Sequence, residues 1–395
     1  EGDFFRERLF DIAAGELGID PVEFRRRNLP QKHEFPFPLP KINLPEKTDE
    51  LDSGDYQTTF DRCLAEFDWN EKKKLQGKLI DGRYHGIALG CFMEGGAAGP
   101  SENARLVVET NGNVSVYVGS SGVGQGLETV MLQIAGDALG VPMERLEIFH
   151  GSTTGVEEGY GSYHSRSTVM GGSAVLLAAE ALKTKLRDVA AARFGCAAKD
   201  VAIGSGLVAT HGVQSASLRD LAADTSISVE SKFLNHRHTY SGGTSAAHVT
   251  VDPRTGQVKL LDYLTVEDIG KIVNPLMAIG QINGSVMQGL GGALLEHLQY
   301  DEHGQFLTAS LADYLLPTAS DFPNIRAIAL ENAPSPINPM GAKGVGEGGI
   351  VPVGGLIANA VAAALASFGV SPRTLPLTPA RVWQDIQDAR KKCAS

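Results

Sequence analysis

Residues 338–359 read Asn-Pro-Met-Gly-Ala-Lys-Gly-Val-Gly-Glu-Gly-Gly-Ile-Val-Pro-Val-Gly-Gly-Leu-Ile-Ala-Asn, a glycine-dense loop with one carboxylate, Glu347, that runs into an alanine-rich apolar segment. No charged residue occurs from Gly348 to Val370. A segment that long and apolar belongs in a bilayer or in a protein core. Its abundance of Gly and Ala, with Pro352 and Asn359 inside it, favours a buried helix packed closely by its neighbours. Glycines at 341, 344, 346, 348 and 349 remove the Cβ atoms around Glu347, which frees the backbone for positive φ and lets a bulky ligand come close. Glu347 is therefore the first candidate for chemistry. The plainer alternative is a carboxylate that caps the helix after it.

With 395 residues, 43% hydrophobic and 21% charged, the chain can build two or three units with full cores, and a soluble α/β or α+β enzyme is the default class. A formal net charge of -11 argues against a nucleic-acid partner, which needs a basic face, and against a membrane surface. The four cysteines (Cys63, Cys91, Cys196, Cys393) form no C-x-x-C pair, and no histidine stands at zinc-ligand spacing. Reduced thiols in a cytoplasmic protein, with no iron–sulfur cluster on this chain, fit that pattern.

The sequence opens Glu1-Gly-Asp-Phe-Phe without a signal-peptide pattern. It enters directly a helical period with Phe5, Leu9, Ile12, Ala13 and Leu17 on one face, as though continuing something larger. Three helices end alike, at Gly18-Ile-Asp-Pro21, Gly140-Val-Pro142 and Gly369-Val-Ser-Pro372, where glycine supplies the left-handed cap and proline blocks continuation. Leu29 to Asp55 lacks either period and reads as a surface connector. Residues 1–55 are thus a helix and connector continuing a preceding domain, and 56–395 form a second one. Hairpins are expected around Asn111-Gly112 and around Asp252-Pro-Arg-Thr-Gly256. Helices are expected at Gly126 to Leu139, Thr168 to Phe194, Ile279 to Glu296 and Gly354 to Phe368, each after a loop dense in Gly and Ser. Their N-termini, with free N–H groups and partial positive charge, would point toward one region suited to phosphates.

Three loops carry the remaining candidates. Gly119-Ser-Ser-Gly-Val-Gly-Gln-Gly126 offers exposed backbone amides beside Gly124 and Gly126, and Gln125 can both donate to and accept from a polar heterocycle. Gly159-Tyr-Gly-Ser-Tyr-His-Ser-Arg-Ser-Thr168 puts hydroxyls and an arginine at a helix start, more than the single Ser or Thr that a cap requires. In Gly280-Gln-Ile-Asn-Gly-Ser-Val-Met-Gln-Gly289, Gln281 is the polar candidate, while Gly284 and Gly289 suit helix packing. His150, His236, His238 and His297 form no ligand pattern and read as ordinary polar residues.

Taken in order, these loops resemble the molybdenum hydroxylase family of xanthine dehydrogenases, aldehyde oxidoreductases and carbon monoxide dehydrogenases. The likeness is to the second half of the large, molybdopterin-binding subunit. It rests on Leu17-Gly-Ile-Asp-Pro-Val-Glu-Phe-Arg-Arg-Arg-Asn28, Gly124-Gln-Gly126, Ser165-Arg-Ser-Thr168, Asp268-Ile-Gly with Asn274-Pro, Gly280-Gln281, Asp313-Tyr-Leu-Leu-Pro317 and Lys343-Gly-Val-Gly-Glu347. It implies an α+β fold of the aldehyde oxidase and xanthine dehydrogenase type, with mixed sheets and helices whose N-termini face the cofactor.

The resemblance further implies Glu347 as general base, with Gly346 beside it. Gly124, Gln125, Gly126 and Gln281 would contact the pterin, and Ser162, Tyr163, Ser165, Arg166, Ser167 and Thr168 would form the pterin and phosphate cradle. The metal would be held by the cofactor's own dithiolene, so no protein ligand is expected. The cofactor would be molybdopterin in its cytosine dinucleotide form. Implied partners are the N-terminal half of the large subunit, an iron–sulfur subunit with 2Fe-2S clusters and an FAD-binding subunit, in a dimer of heteromers. The segment from Cys91 to Ala98 falls where the family lines its pocket, and its flavour suggests an N-heteroaromatic, aldehyde or related carbon centre as substrate. A non-catalytic cofactor-binding or assembly module of the same fold is the competing reading. An unrelated nucleotide-binding protein would show a Walker loop or a dinucleotide fingerprint, and neither pattern appears.

Overall fold

Two main sheets, each with its own apolar core, carry this computed structural model, which describes residues 1–39, 50–97 and 99–394. Helices α1 (Gly2–Leu17), α2 (Pro21–Asn28) and α3 (Tyr56–Glu66) precede strand β1 (Arg83–Gly96). Strands β2 (Ser101–Val108) and β3 (Val114–Val118) follow, then helix α4 (Leu127–Leu139) and strand β4 (Leu146–Phe149). A π-helical turn, Ser167–Gly172, opens into α5 (Ser173–Phe194). Next come β5 (Ile227–Leu234), β6 (Thr239–Val251), β7 (Val258–Asp268), α6 (Pro275–Leu294), β8 (Arg326–Leu330), α7 (Val353–Ala364) and α8 (Pro379–Ala394).

The first sheet runs β8-β7-β6-β1 with a two-residue strand, Leu79–Ile80, at its edge. Strand β6 is antiparallel to both neighbours, and β7 lies parallel to β8. The second sheet runs β5-β2-β3-β4, antiparallel except between β3 and β4. Mixed sheets with helices packed on them give the expected α+β class, and both expected hairpins form. The capping glycines behave alike: Gly18, Gly140 and Gly369 have φ of 66°, 65° and 70°. The connector 29–55 contains only a 3-10 turn, Lys32–Glu34, and two paired two-residue strands among its described residues; 40–49 lie outside them, as does Ala98 of the Cys91–Ala98 segment.

Helices α4 and α5 cover the second sheet through Met131, Leu182 and Leu186 against Leu106 and Val116. Helices α6 and α7 cover one face of the first sheet, and Phe60 of α3 packs on the other with Ile87, Leu89 and Leu264. Helix α7 is the buried, tightly enclosed segment that its composition suggested, and no described helix is long and apolar enough to cross a membrane. Small residues are what let its neighbours close in. A Cβ on Gly86 of β1 would stand 1.9 Å from the Ala360 carbonyl, and one on Gly289 of α6 would stand 2.6 Å from Val353. Gly284 has open space where a Cβ would go, so the packing role expected of both α6 glycines holds only at 289. Asn359, fully buried in α7, is satisfied on both sides: it donates to the Glu7 carbonyl at 3.0 Å and accepts from Arg8.

That contact reverses the polarity of α1. The apolar stripe of the sequence faces solvent, with Phe5 and Leu9 63% and 60% exposed, while Asp3, Glu7, Arg8 and Ala14 are buried. The physical reason is a prior ionic commitment: Glu7 binds Arg25 of α2 at 2.6 Å, Arg25 also binds Asp11 at 2.8 Å, and Arg8 reaches the Pro372 carbonyl at 3.1 Å. Leaving any of these charges buried without its partner would cost more than exposing a few apolar side chains.

The closeness of β1 to α7 yields a direct expectation. Gly86→Ala should lower stability by about 1–3 kcal/mol through overpacking, read as a fall in unfolding midpoint. An unchanged midpoint would contradict the packing described.

Candidate functional site

The loop that holds Glu347 is seated on the end of β7 by backbone and side chain together. Lys343 N–H donates to the Ile269 carbonyl at 3.0 Å, and Lys271 N–H donates to the Gly341 carbonyl at 2.9 Å. Asn338 clamps Ala342 in both directions, donating at 2.9 Å and accepting at 3.1 Å. The Lys343 ammonium is buried 3.9 Å from Asp268 and donates to the Ser53 carbonyl at 3.2 Å. Burial holds this lysine below its ordinary pKa against the pull of Asp268, and burial likewise raises Asp268 against the pull of Lys343. Four residues along, Glu347 emerges exposed, and its Oε2 accepts a hydrogen bond from Ser165 Oγ at 3.3 Å.

The glycines around Glu347 do a different job from the one expected of them. Only Gly341 adopts positive φ, at 68°. The rest permit close approach: a Cβ on Gly344 would stand 2.4 Å from that of Ser165, and one on Gly349 would stand 2.2 Å from Ser285 Oγ. Gly348 lies over the fully buried Glu267, whose carboxyl is pushed up to about 8 by burial and so stays protonated at neutral pH.

Opposite Glu347, His164 and Ser165 take positive φ (48° and 51°), a conformation that costs non-glycine residues about 1–3 kcal/mol and persists only where the surroundings impose it. Part of what imposes it is Arg166. Its guanidinium is fully buried, paired with Glu102, donating to the Ser101 carbonyl at 2.6 Å and the Gly161 carbonyl at 3.2 Å, with the rings of Tyr160 and Tyr163 at 5.3 and 5.5 Å. The guanidinium expected to contact an anion is thus also bonded inward, to Glu102 and two backbone carbonyls, and it shapes the loop. Burial raises Glu102 against the pull of Arg166.

The first loop is knitted to the second. Ser121 N–H donates to Ser162 Oγ at 3.2 Å, Ser162 Oγ donates to the Ser121 carbonyl at 2.6 Å, and Ser167 Oγ donates to Ser162 Oγ at 2.8 Å. Gln125 folds onto its own loop, accepting from Val123 N–H at 2.7 Å and donating to the Ser121 carbonyl at 3.3 Å. His150, read as an ordinary polar residue, supports the loop from outside through Glu128 at 2.9 Å.

These segments enclose a cavity of about 310 Å³. Gln125, Ser162, Tyr163, Ser165, Arg166, Ser167, Thr168, Gln281, Gly346 and Glu347 all line it. Gly124 and Gly126 stand beside it with φ of 101° and 78°. Sequence reading missed the stretch Lys271–Asn274 with Met277, which forms the wall between β7 and α6; Asp268-Ile-Gly and Asn274-Pro were the only signal for it. No side chain caps the start of α4 or of the π-helical turn, whereas Asn274 caps α6 through Met277 N–H at 3.1 Å.

The model of the molybdopterin cofactor-binding domain matches residues 62–323, about two thirds of the chain. The chain belongs to the molybdopterin cofactor-binding family. It is 37% identical to the gamma subunit of the 6-hydroxypseudooxynicotine dehydrogenase complex of Paenarthrobacter nicotinovorans, over 99% of this chain and 51% of that protein. It is 30% identical to the nicotine 6-hydroxylase large subunit of the same organism, over 96% of this chain and 49% of that one. The crystal structure of quinoline 2-oxidoreductase from Pseudomonas putida 86 superposes with a TM-score of 0.87 at 31% identity, covering 98% of this chain and 52% of that chain. The chain spans about half the length of the relatives it matches. As in the resemblance drawn from its motifs, it aligns with the large subunits of the xanthine dehydrogenase and aldehyde oxidoreductase family.

The residues present fit a molybdopterin group. Two uncapped helix starts, the open space at Gly124, and the hydroxyls of Ser165, Ser167 and Thr168 offer donors to a polar, anionic molecule of many acceptors. Arg166→Ala would leave Glu102 buried without its partner. It should destabilise the protein by about 3–5 kcal/mol and loosen cofactor retention with it. Loss of cofactor with an unshifted unfolding midpoint would mean that Arg166 binds the anion directly.

Proposed function

We propose that this chain is the second molybdopterin-binding part of a molybdenum hydroxylase large subunit, and that Glu347 is its general base. The observation that carries the reading is an exposed carboxylate at the wall of the cavity, fixed by a seated loop and oriented by Ser165. The reaction is oxidative hydroxylation of an electron-poor carbon with oxygen from water. The similarity to a nicotine hydroxylase and to quinoline 2-oxidoreductase supports an N-heteroaromatic ring or a related aldehyde or ketone as substrate.

When bound, the molybdenum cofactor supplies the two-electron oxidation and the place where water-derived oxygen meets the substrate. This chain supplies the rest. Gln125, Gly124, Gly126 and Gln281 contact the pterin, Gln125 by unfolding its amide from its own loop. Ser162, Tyr163, Ser165, Ser167 and Thr168 hold its polar and anionic edge. Glu347 takes the proton of the attacking oxygen nucleophile as the new C–O bond forms, and Ser165 Oγ–H holds the carboxylate in the geometry for that transfer. The cofactor carries a cytosine dinucleotide in this proposal. Partner chains carrying 2Fe-2S clusters and FAD would supply the route by which electrons are removed, and the preceding half of the large subunit would close the substrate pocket. Residues 1–55 belong with that preceding domain and 56–395 with the second, in a cytoplasmic dimer of heteromers.

Glu347→Gln preserves size and hydrogen bonding but removes the proton acceptor. Turnover should fall by about 10²-fold or more, with cofactor content and unfolding midpoint unchanged. Wild-type turnover in this variant would refute the assignment.

A further inference from the structure

The turn between β7 and α6 is pinned by several elements at once. Strand β8 runs parallel to β7 with Leu330 in register beside Asp268, which brings Glu331 alongside the turn. Gly270 N–H donates to Asp268 Oδ1 at 3.1 Å, Lys271 N–H to the Gly341 carbonyl at 2.9 Å, and Ile272 N–H to Glu331 Oε1 at 2.9 Å. Asn274 then donates to Gln133 of α4 at 2.9 Å. Gly270 permits the close approach this needs: its φ is 64°, and a Cβ there would stand 2.3 Å from the Gly341 carbonyl oxygen. Lys271 thus leaves a fixed backbone, and its Cγ passes 3.3 Å from where Gly341 would carry a Cβ.

Three residues with permanent positive charge line the cavity: Arg166, Lys271 and Lys343. Arg166 is fully buried and paired with Glu102, and Lys343 is buried beside Asp268. Lys271 differs from both. Its side chain is 57% exposed, and its ionic neighbour among the described residues, Glu331 Oε1, stands 3.9 Å away, at the edge of ion-pair range. That same oxygen already accepts from Ile272. An exposed pair this loose contributes little and yields readily to a better anion.

We propose that Lys271 is an anchoring residue for the molybdenum cofactor: its ammonium pairs with a phosphate of the molybdopterin nucleotide. The proposal rests on the reading of these loops as the cofactor site. The hydroxyls of Ser165, Ser167 and Thr168 and the uncapped helix starts serve phosphate oxygens as neutral donors, and they leave the net charge of the phosphate uncompensated. A lysine supplies that charge as a compact point on a flexible stem, with donors that rotate to meet the oxygens. A charge-assisted bond of this kind is roughly twice as strong as one between neutral groups. Because Lys271 is exposed, salt screens its contribution.

The test uses the holoenzyme and reads cofactor, not turnover. The rate at which molybdenum and pterin nucleotide leave the protein is measured at low and at high salt in the wild type, Lys271→Met and Lys271→Arg. Lys271→Met keeps the stem and the backbone bonds of the turn but removes the charge. It should lose cofactor roughly tenfold faster at low salt, and the difference from wild type should close at high salt. Lys271→Arg, which keeps the charge, should stay near the wild-type rate. Equal rates for Lys271→Met and wild type at low salt overturn the proposal, as does a difference that salt leaves untouched or a Lys271→Arg protein that loses cofactor as fast as Lys271→Met. The cofactor-free chain should unfold at the same midpoint with Met as with Lys at 271, and a lowered midpoint would make the role structural and overturn the assignment. A wild-type complex without molybdopterin would remove the cofactor reading itself, a failure distinct from retention that is indifferent to residue 271.

Discussion

The site depends on the seating of residues 338–349 against the end of β7. A lysine and an aspartate buried together, Lys343 and Asp268, anchor the segment from below, and paired backbone hydrogen bonds at Ile269 and Lys271 fix its register. Neither charge would be tolerated in that position alone, so the pair ties the loop's geometry to the folding of the sheet. Glu347 therefore projects from a frame and not from a free loop. The opposing wall is built in the same way, since Arg166 and Glu102 form a second buried pair that holds Ser165 where its hydroxyl meets Glu347.

Both walls spend charge inward and leave hydroxyls, amides and backbone N–H groups outward. A polar, anionic molecule of many acceptors is suited by that division, because oriented dipoles bind it without a concentrated positive charge on the surface. The net charge of -11 is compatible with such a site for the same reason. The family membership and the chemistry of the cavity lining thus point the same way from independent observations.

Much of this was legible in the sequence where a local rule dominates. The three glycine caps, the two hairpins and the four helices that follow glycine-rich loops rest on backbone preferences that act over a few residues. The loops could be gathered into one site because they share one composition, small and polar before a helix. Tertiary electrostatics hid the rest. The apolar stripe of α1 points to solvent because Glu7, Arg8 and Arg25 had committed its other face, and Arg166 turns inward because Glu102, 64 residues earlier, is buried beneath it.

The loops that line the cavity are built to hold a molybdenum cofactor. Metal and nucleotide analysis of the protein purified from its native source, with the chains that accompany it, tests this most directly. Molybdenum and a pterin nucleotide are expected in stoichiometric amount, alongside an iron–sulfur chain and a flavin chain. A folded, complete complex that contains neither molybdenum nor pterin would contradict it.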